Sequence, residues 1–199
     1  MANIIRFRDA PGMGYPREHR DATRERILDS AARLFRSKGY DAASIDAIMA
    51  GADLTRGGFY LHFRSKADLF SAYLGRELDF GRQLRNVGAA EALDFYLDPR
   101  NRRRVAAGCT IVSNAADVAR SSPKARRAFT RSFDGMREEF RRIAADRDDP
   151  DAAALASIAT CVGGVVLGRA LVDEKLVEDL LAACRSAVAR ELGDGGDGA

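Results

Sequence analysis

The stretch from Thr23 to Leu74 carries the signals of four short helices in about fifty residues, and this constrains the fold more than anything else in the chain. Ile27, Leu28, Ala31, Leu34 and Phe35 fall at i, i+1, i+4, i+7 and i+8, the apolar face of a first helix. Lys38-Gly39 closes it, with Gly39 suited to the residue just past a helix end. Ser44 can cap the next helix by accepting an orphan backbone N–H. Ile45, Ile48 and Met49 form that helix's inward stripe. Asp53 stands where the following turn needs a left-handed backbone, which Asp tolerates better than most residues. Thr55 opens a third helix with Arg56, Gly57, Gly58 and Tyr60 outward and Phe59 and Phe63 inward. Ser65 caps a fourth that begins at Lys66.

Two short helices across a tight turn make a helix-turn-helix, whose second helix fits a DNA major groove. The residue types suit that partner. Ser44, Thr55 and Lys66 lie at helix N-termini, where free N–H groups meet phosphates. Gly57 and Gly58 remove side chains, so backbone can approach DNA closely. Arg56 can reach a guanine edge or a phosphate. Tyr60 and His62 can each donate to a phosphate, or can instead complete the small core. The candidate DNA-binding set is therefore Ser44, Thr55, Arg56, Gly57, Gly58, Tyr60, His62 and Lys66.

On these residues the chain resembles the TetR family of bacterial transcriptional regulators. The matching positions are Ala32, Leu34-Phe35, Gly39-Tyr40, Ile48, Ala52, Leu54-Thr55-Arg56-Gly57, Phe59-Tyr60, His62-Phe63, Ser65-Lys66 and Leu69. Together they are highly specific, though each alone is weak. Asp53 replaces the glycine usual in the turn. Gly51 replaces a helix former, at a cost of up to ~1 kcal/mol. The resemblance implies an all-α homodimer with a three-helix, homeodomain-like DNA-binding head. It also implies a C-terminal helical domain for ligand binding and dimerisation. The C-terminal half matches only in its helix layout.

Charge follows the same division. Residues 1–70 hold twelve Lys and Arg against nine Asp and Glu, whereas residues 71–199 balance at twenty each. The net charge of +3 thus lies in the head and its arm, in keeping with a nucleic-acid partner. Residues 1–20 contain Pro11, Gly12, Gly14 and Pro16, which argue against regular structure. They read as a flexible basic arm, either lying along DNA through Arg6, Arg8, Arg17 and Arg20 or making no fixed contact. The expected organisation is this arm, a head over 21–70, a ligand and dimer domain over 71–192, and a disordered tail over 193–199. No apolar segment near the start has the length of a signal peptide. The longest uncharged run, Ala152 to Gly168, is too short and weakly apolar for a membrane span and reads as a buried interface helix. Three cysteines without close spacing suit a reducing cytoplasm. The expected location is therefore cytoplasmic, with no membrane partner.

The second half reads as a helical body. The fourth helix should run from Lys66 into the Arg85 region and link head to body. A short helix over Glu91–Leu97 breaks at Asp98-Pro99, and another spans Val105–Arg120. Ser122-Pro123 is a strong helix start. Pro150 opens a helix to Val172, and the last runs from Lys175 to Leu192. Phe129, Phe133, Met136, Phe140 and Ile143 share one face, which reads either as bundle core or, with Phe95, Tyr96, Cys109 and Val112, as the wall of a small-molecule pocket. The last two helices offer Ile158, Val162, Val165, Val166, Leu176, Leu180 and Cys184 as a dimer interface, with small residues allowing close approach.

Cys109 follows four arginines near a helix start, where cations and the helix terminus favour the thiolate. It reads either as a thiol sensor or as a small core residue; Cys161 and Cys184 read as packing. Catalysis finds no support. The two histidines, His19 and His62, lie in or near the head, and no P-loop, dinucleotide fingerprint or CxxC is present. No cofactor, metal or catalytic residue is expected. The residues therefore describe a regulator, most simply a repressor, that binds a palindromic double-stranded DNA operator as a homodimer and is released by a small-molecule effector. An electrophile- or oxidant-sensing repressor using Cys109 is the alternative.

Overall fold

The computed structural model describes residues 17–76, 86, 88–106 and 108–193 and is all-helical among them. The head consists of α1 (Arg17–Ala42), α2 (Ile45–Gly51), a 3₁₀ recognition segment (Arg56–Leu61) and α3 (Lys66–Leu74). The body follows with α4 (Ala89–Tyr96), a 3₁₀ turn (Asn101–Arg103), α5 (Thr110–Ala119) and α6 (Pro123–Ile143). It ends with α7 (Pro150–Ala170) and α8 (Glu174–Leu192). Residues 17–20, expected in the arm, already belong to α1. The rest of the arm, the continuation of the fourth helix toward Arg85 and residues 194–199 of the tail lie outside the described residues.

Local chemistry sets the boundaries. The α1 backbone breaks at Gly39, whose φ of 79° suits glycine. Ser44 accepts the N–H of Ala47 at 3.1 Å and Ser65 that of Asp68 at 3.1 Å, satisfying donors that the first helical turn leaves free. Ser122 does the same for Ala125 in front of Pro123, and Asp149 for Ala152 beside Pro150. Two expectations shift here. Thr55 makes no side-chain cap bond, and the segment behind it is 3₁₀ rather than α. Gly57-Gly58 favours the α-helix weakly enough to allow the tighter winding. The helix expected from Val105 begins only at Thr110, leaving Cys109 as its N-cap residue.

There are two hydrophobic cores. The head core centres on Ile27, Phe35, Ile48, Phe59 and Phe70, and it is closed from the body by Val118, Ala125 and Ala128. A boundary at 70/71 therefore divides the chain but not the core. The body core gathers Leu97, Met136, Phe140, Ile158, Val177 and Leu181. Phe129 on α6 packs against both.

Candidate nucleic-acid interface

The turn between α2 and the recognition segment is built from α1. Ser30 Oγ donates to the Ile48 carbonyl at 2.7 Å, Arg26 to that of Ala52 at 2.6 Å, and Arg33 to that of Gly51 at 3.1 Å. Arg26 and Arg33 thus meet the last carbonyls at the C-terminus of α2 with the positive charge that this end favours, and Ser30 adds a second donor to the Ile48 carbonyl, which also accepts the Ala52 N–H. A Cβ on Gly51 would lie 2.5 Å from Ser30 Oγ. The glycine that looked like a loss of helix propensity is therefore the condition for this close approach. Asp53 is the one described non-glycine residue with positive φ, at 55°.

With the turn fixed, the recognition segment buries Phe59, followed by buried Phe63, and presents Arg56, Gly57, Tyr60 and Leu61 to solvent. Tyr60 is 61% exposed and Leu61 74%. Leu61 was missed in the sequence reading. Its signal was available: the i, i+4 spacing of Phe59 and Phe63 puts Leu61 off the inward face. An apolar side chain here can meet a thymine methyl. Arg56 pairs with Asp46 of α2 at 2.8 Å, with both side chains exposed. Gly57 has nothing within 4 Å of a built Cβ, so internal packing does not require a glycine there.

Four candidate contacts are placed differently from the rest. The Lys66 ammonium turns away from the recognition segment, donating to the carbonyls of Tyr40 and Asp41 at 2.9 and 3.2 Å and lying over the Tyr40 ring. Here it ties α3 to the end of α1. Ser44 and Thr55 stay exposed at the start of their segments, although the Ser44 hydroxyl is engaged in its own cap. His62 is half-buried beside Arg20 and Arg24; burial first, and then these cations, hold its pKa below the usual histidine range. Arg24 stacks on Phe63 at 4.9 Å, so this corner of the head is strongly basic.

The body residues divide in the same way. Tyr96, Cys109, Val112, Phe129 and Phe133 pack partly buried around Met136 and Phe140. Phe95 does not join them: it is 47% exposed because it falls on the outer face of α4. Ile158 and Val165, expected at a dimer face, are packed in the core of their own chain. Val162, Leu180 and Cys184 are half-buried, whereas Val166 and Leu176 are exposed together with Leu155, Leu167 and Val172. The α7 helix is the one described helix long and apolar enough to cross a membrane, but its inward face is packed in the body core. Burial pushes the Cys161 thiol up to about 12 and raises that of Cys184. Among the described residues, no group of three His, Cys, Asp or Glu comes together to hold a metal.

Comparison with known proteins gives this geometry a context. The family model described as bacterial regulatory proteins, tetR family, matches residues 27–73. The transcriptional regulator AcrR of Shigella flexneri is 49% identical over 49 residues, covering 25% of this chain and 23% of that protein. The transcriptional activator FasR of Mycolicibacterium smegmatis is 36% identical over 89 residues, covering 44% and 38%. The repressor BepR of Brucella suis is 39% identical over 54 residues, covering 27% and 26%. The chain thus spans about a quarter to two fifths of these curated relatives. Solved structures extend the likeness over most of the chain. A TetR transcriptional regulator from Chloroflexus aurantiacus has TM-score 0.68 at 27% identity, covering 87% of this chain and 97% of that one. NemR of Escherichia coli has TM-score 0.67 at 21% identity, covering 83% and 96%, which shows the fold alone. Residues 27–73 thus match the model of the tetR family of bacterial regulatory proteins, and the helix layout of most of the chain is similar to that of solved regulators of that family.

Proposed function

We propose that the protein is a ligand-responsive transcriptional regulator that binds a palindromic operator in double-stranded DNA as a homodimer, most simply as a repressor. The observation that carries the DNA reading is the outward face of the recognition segment. It combines exposed Arg56, Tyr60 and Leu61 with a glycine, Gly57, for which the fold has no packing need. Internal packing asks for neither the glycine nor the exposed Leu61, whereas a major groove would use both. Relatives named as a repressor and as an activator both match this head, so the sign of regulation rests on simplicity alone.

The homodimer reading is supported by Leu155, Val166, Leu167, Val172 and Leu176, exposed along α7 and α8. An apolar stripe on two adjacent helices suits a two-fold four-helix contact. Effector binding is supported by the body core. There Ser157 is 0% exposed, and its hydroxyl has no hydrogen-bond partner among the described residues. A buried unpaired hydroxyl in an apolar surround is the kind of anchor that a small, mostly apolar ligand would use. A cytoplasmic location follows from the same reading.

Selection of genomic fragments by the purified protein, followed by titration of the best site, tests this function. A palindrome bound with nanomolar affinity supports it. Sequence-independent binding alone contradicts it. One observation favours a second route to release: Cys109 stands at the N-cap position of α5 with no cap bond of its own, is only half-buried and is hydrogen-bonded to Tyr96. A response to alkylating or oxidising agents that disappears in Cys109→Ser would support that route.

A further inference from the structure

The first head helix ends at Gly39, where its last carbonyls and the next N–H groups need partners from elsewhere. Two side chains of α5, a body helix, supply them. Asn114 Nδ2 donates to the Phe35 carbonyl at 2.9 Å, and Asp117 Oδ2 accepts the Tyr40 N–H at 2.9 Å. Asn114 is 0% exposed, and its Oδ1 accepts the Tyr73 hydroxyl of α3 at 2.9 Å. Immediately before α5, the Ala106 carbonyl accepts from Arg36 Nε at 2.8 Å. The fit is close: a Cβ on Gly39 would lie 3.4 Å from Asp117 Oδ2, at a φ that already disfavours other residues.

We propose that α5 is the C-terminal cap of α1, so that Asn114 and Asp117 set the pitch of the DNA-binding head and carry the body's state to it. These two are positioning residues. Asn114 and Asp117 lie one turn apart on the same helix, and Asn114 links both α1 and α3. A shift of α5 by a fraction of a turn would break both bonds to α1 together. It would take these partners from the Phe35 carbonyl and the Tyr40 N–H at once, so the latch is either made or broken. Tyr40, the residue held by Asp117, contacts Phe35 and Phe70 and lies beneath the Lys66 ammonium. Release of the cap would therefore loosen the joint between α1 and α3 on which the recognition segment rests. From the sequence, the fourth helix was expected to link head to body; here α5 also reaches both head helices at once.

The DNA consequence rests on the function proposed above, whereas the capping itself does not, so two readouts on the full chain separate them. In Asp117→Ala, amide hydrogen exchange at Tyr40 should accelerate about tenfold or more while the amides of α8 keep their rates. Affinity for the selected operator should fall about tenfold. Asp117→Asn keeps an acceptor oxygen and should stay within about threefold of the parent in both. If Asp117→Ala fails to fold, the pair Tyr73→Phe with Asn114→Leu removes the linked polar partners together and should show the same selective loss in α1. Unchanged exchange at Tyr40, or acceleration shared equally by α8, would overturn the proposal. Faster exchange at Tyr40 with operator affinity unchanged would overturn the claim that the cap governs DNA binding. A parent protein that binds no specific DNA would defeat the functional reading, while the exchange result would still decide the cap.

Discussion

The head and the body both close an apolar core with helices, but they hold those helices in place differently. The head uses short pieces, Ile45–Gly51, Arg56–Leu61 and Lys66–Leu74, which are too short to be stable alone. Their ends are therefore fixed one by one: by Ser44 and Ser65, by the α1 donors Arg26, Ser30 and Arg33, and by Asn114 and Asp117 from outside the head. The body relies on helices of 21, 21 and 19 residues, whose long apolar faces need little beyond a start signal. The lesson is that short helices need their ends placed one by one, whereas long helices can be held by their apolar faces. Single changes should therefore cost more in the head.

The largest contrast should come from aromatic truncation. Phe35 is fully buried, with the rings of Tyr40, Phe70 and Tyr73 at 6.0, 5.0 and 5.5 Å. Phe35→Ala should cost about 3–5 kcal/mol in denaturant unfolding. Phe133→Ala, at a half-buried body position, should cost only about 1–2 kcal/mol. Equal costs would break the contrast.

Glycine substitution should sharpen it with opposite signs. Gly51→Ala drives a Cβ to 2.5 Å from Ser30 Oγ and should destabilise by about 1–3 kcal/mol despite alanine's better helix propensity. Gly135→Ala, in α6 with nothing within 4 Å, should stabilise by about 0.5–1 kcal/mol. A stabilising Gly51→Ala would mean that the α1–α2 contact is looser than described.

The smallest effect should appear at the seam. Asp68 of α3 meets Lys124 of α6 at 2.5 Å, and this bond holds the carboxyl below its ordinary range. A depressed carboxylate stabilises above its unfolded pKa, and that stability is lost as pH falls through the lower folded value. Because Lys124 is well exposed, the contribution should stay below about 1 kcal/mol after screening. Comparing acid unfolding of the parent and Asp68→Asn between pH 6 and pH 3 reads it, and identical curves would remove the bridge from the account.

These contrasts also show which parts of the molecule the sequence reveals. Signals that act within one turn were legible: Gly39 and Asp53 by their backbone angles, Ser44, Ser65 and Ser122 by their caps, and Pro123 and Pro150 by their place in the first turn. What depended on a distant partner was not. Gly51 needed Ser30, and Lys66 found the carbonyls of Tyr40 and Asp41 instead of open solvent. In the body, Ile158 and Val165 share α7 with Val166, and periodicity alone left open which side of an apolar helix faces its own core. Gly108, before the start of α5, is likewise set by its surroundings: a Cβ there would lie 2.9 Å from the Arg104 carbonyl oxygen and 2.6 Å from Arg169 Nη2. The helix-turn-helix was largely legible because it is local, whereas the proposed ligand and dimer faces would be assembled across helices.

The most direct test of the central claim, that the exposed face of the recognition segment reads DNA, is titration of the selected operator with the parent and Arg56→Ala at two salt concentrations. Arg56 makes one exposed ion pair within the chain, so its removal should hardly change the melting temperature. The account predicts that affinity for the operator falls at least about tenfold, with discrimination against neighbouring sequences reduced if Arg56 meets a base, or with the salt slope lowered by about 1 if it meets a phosphate. An equally stable variant that binds the operator as tightly as the parent, at both salts, would contradict it.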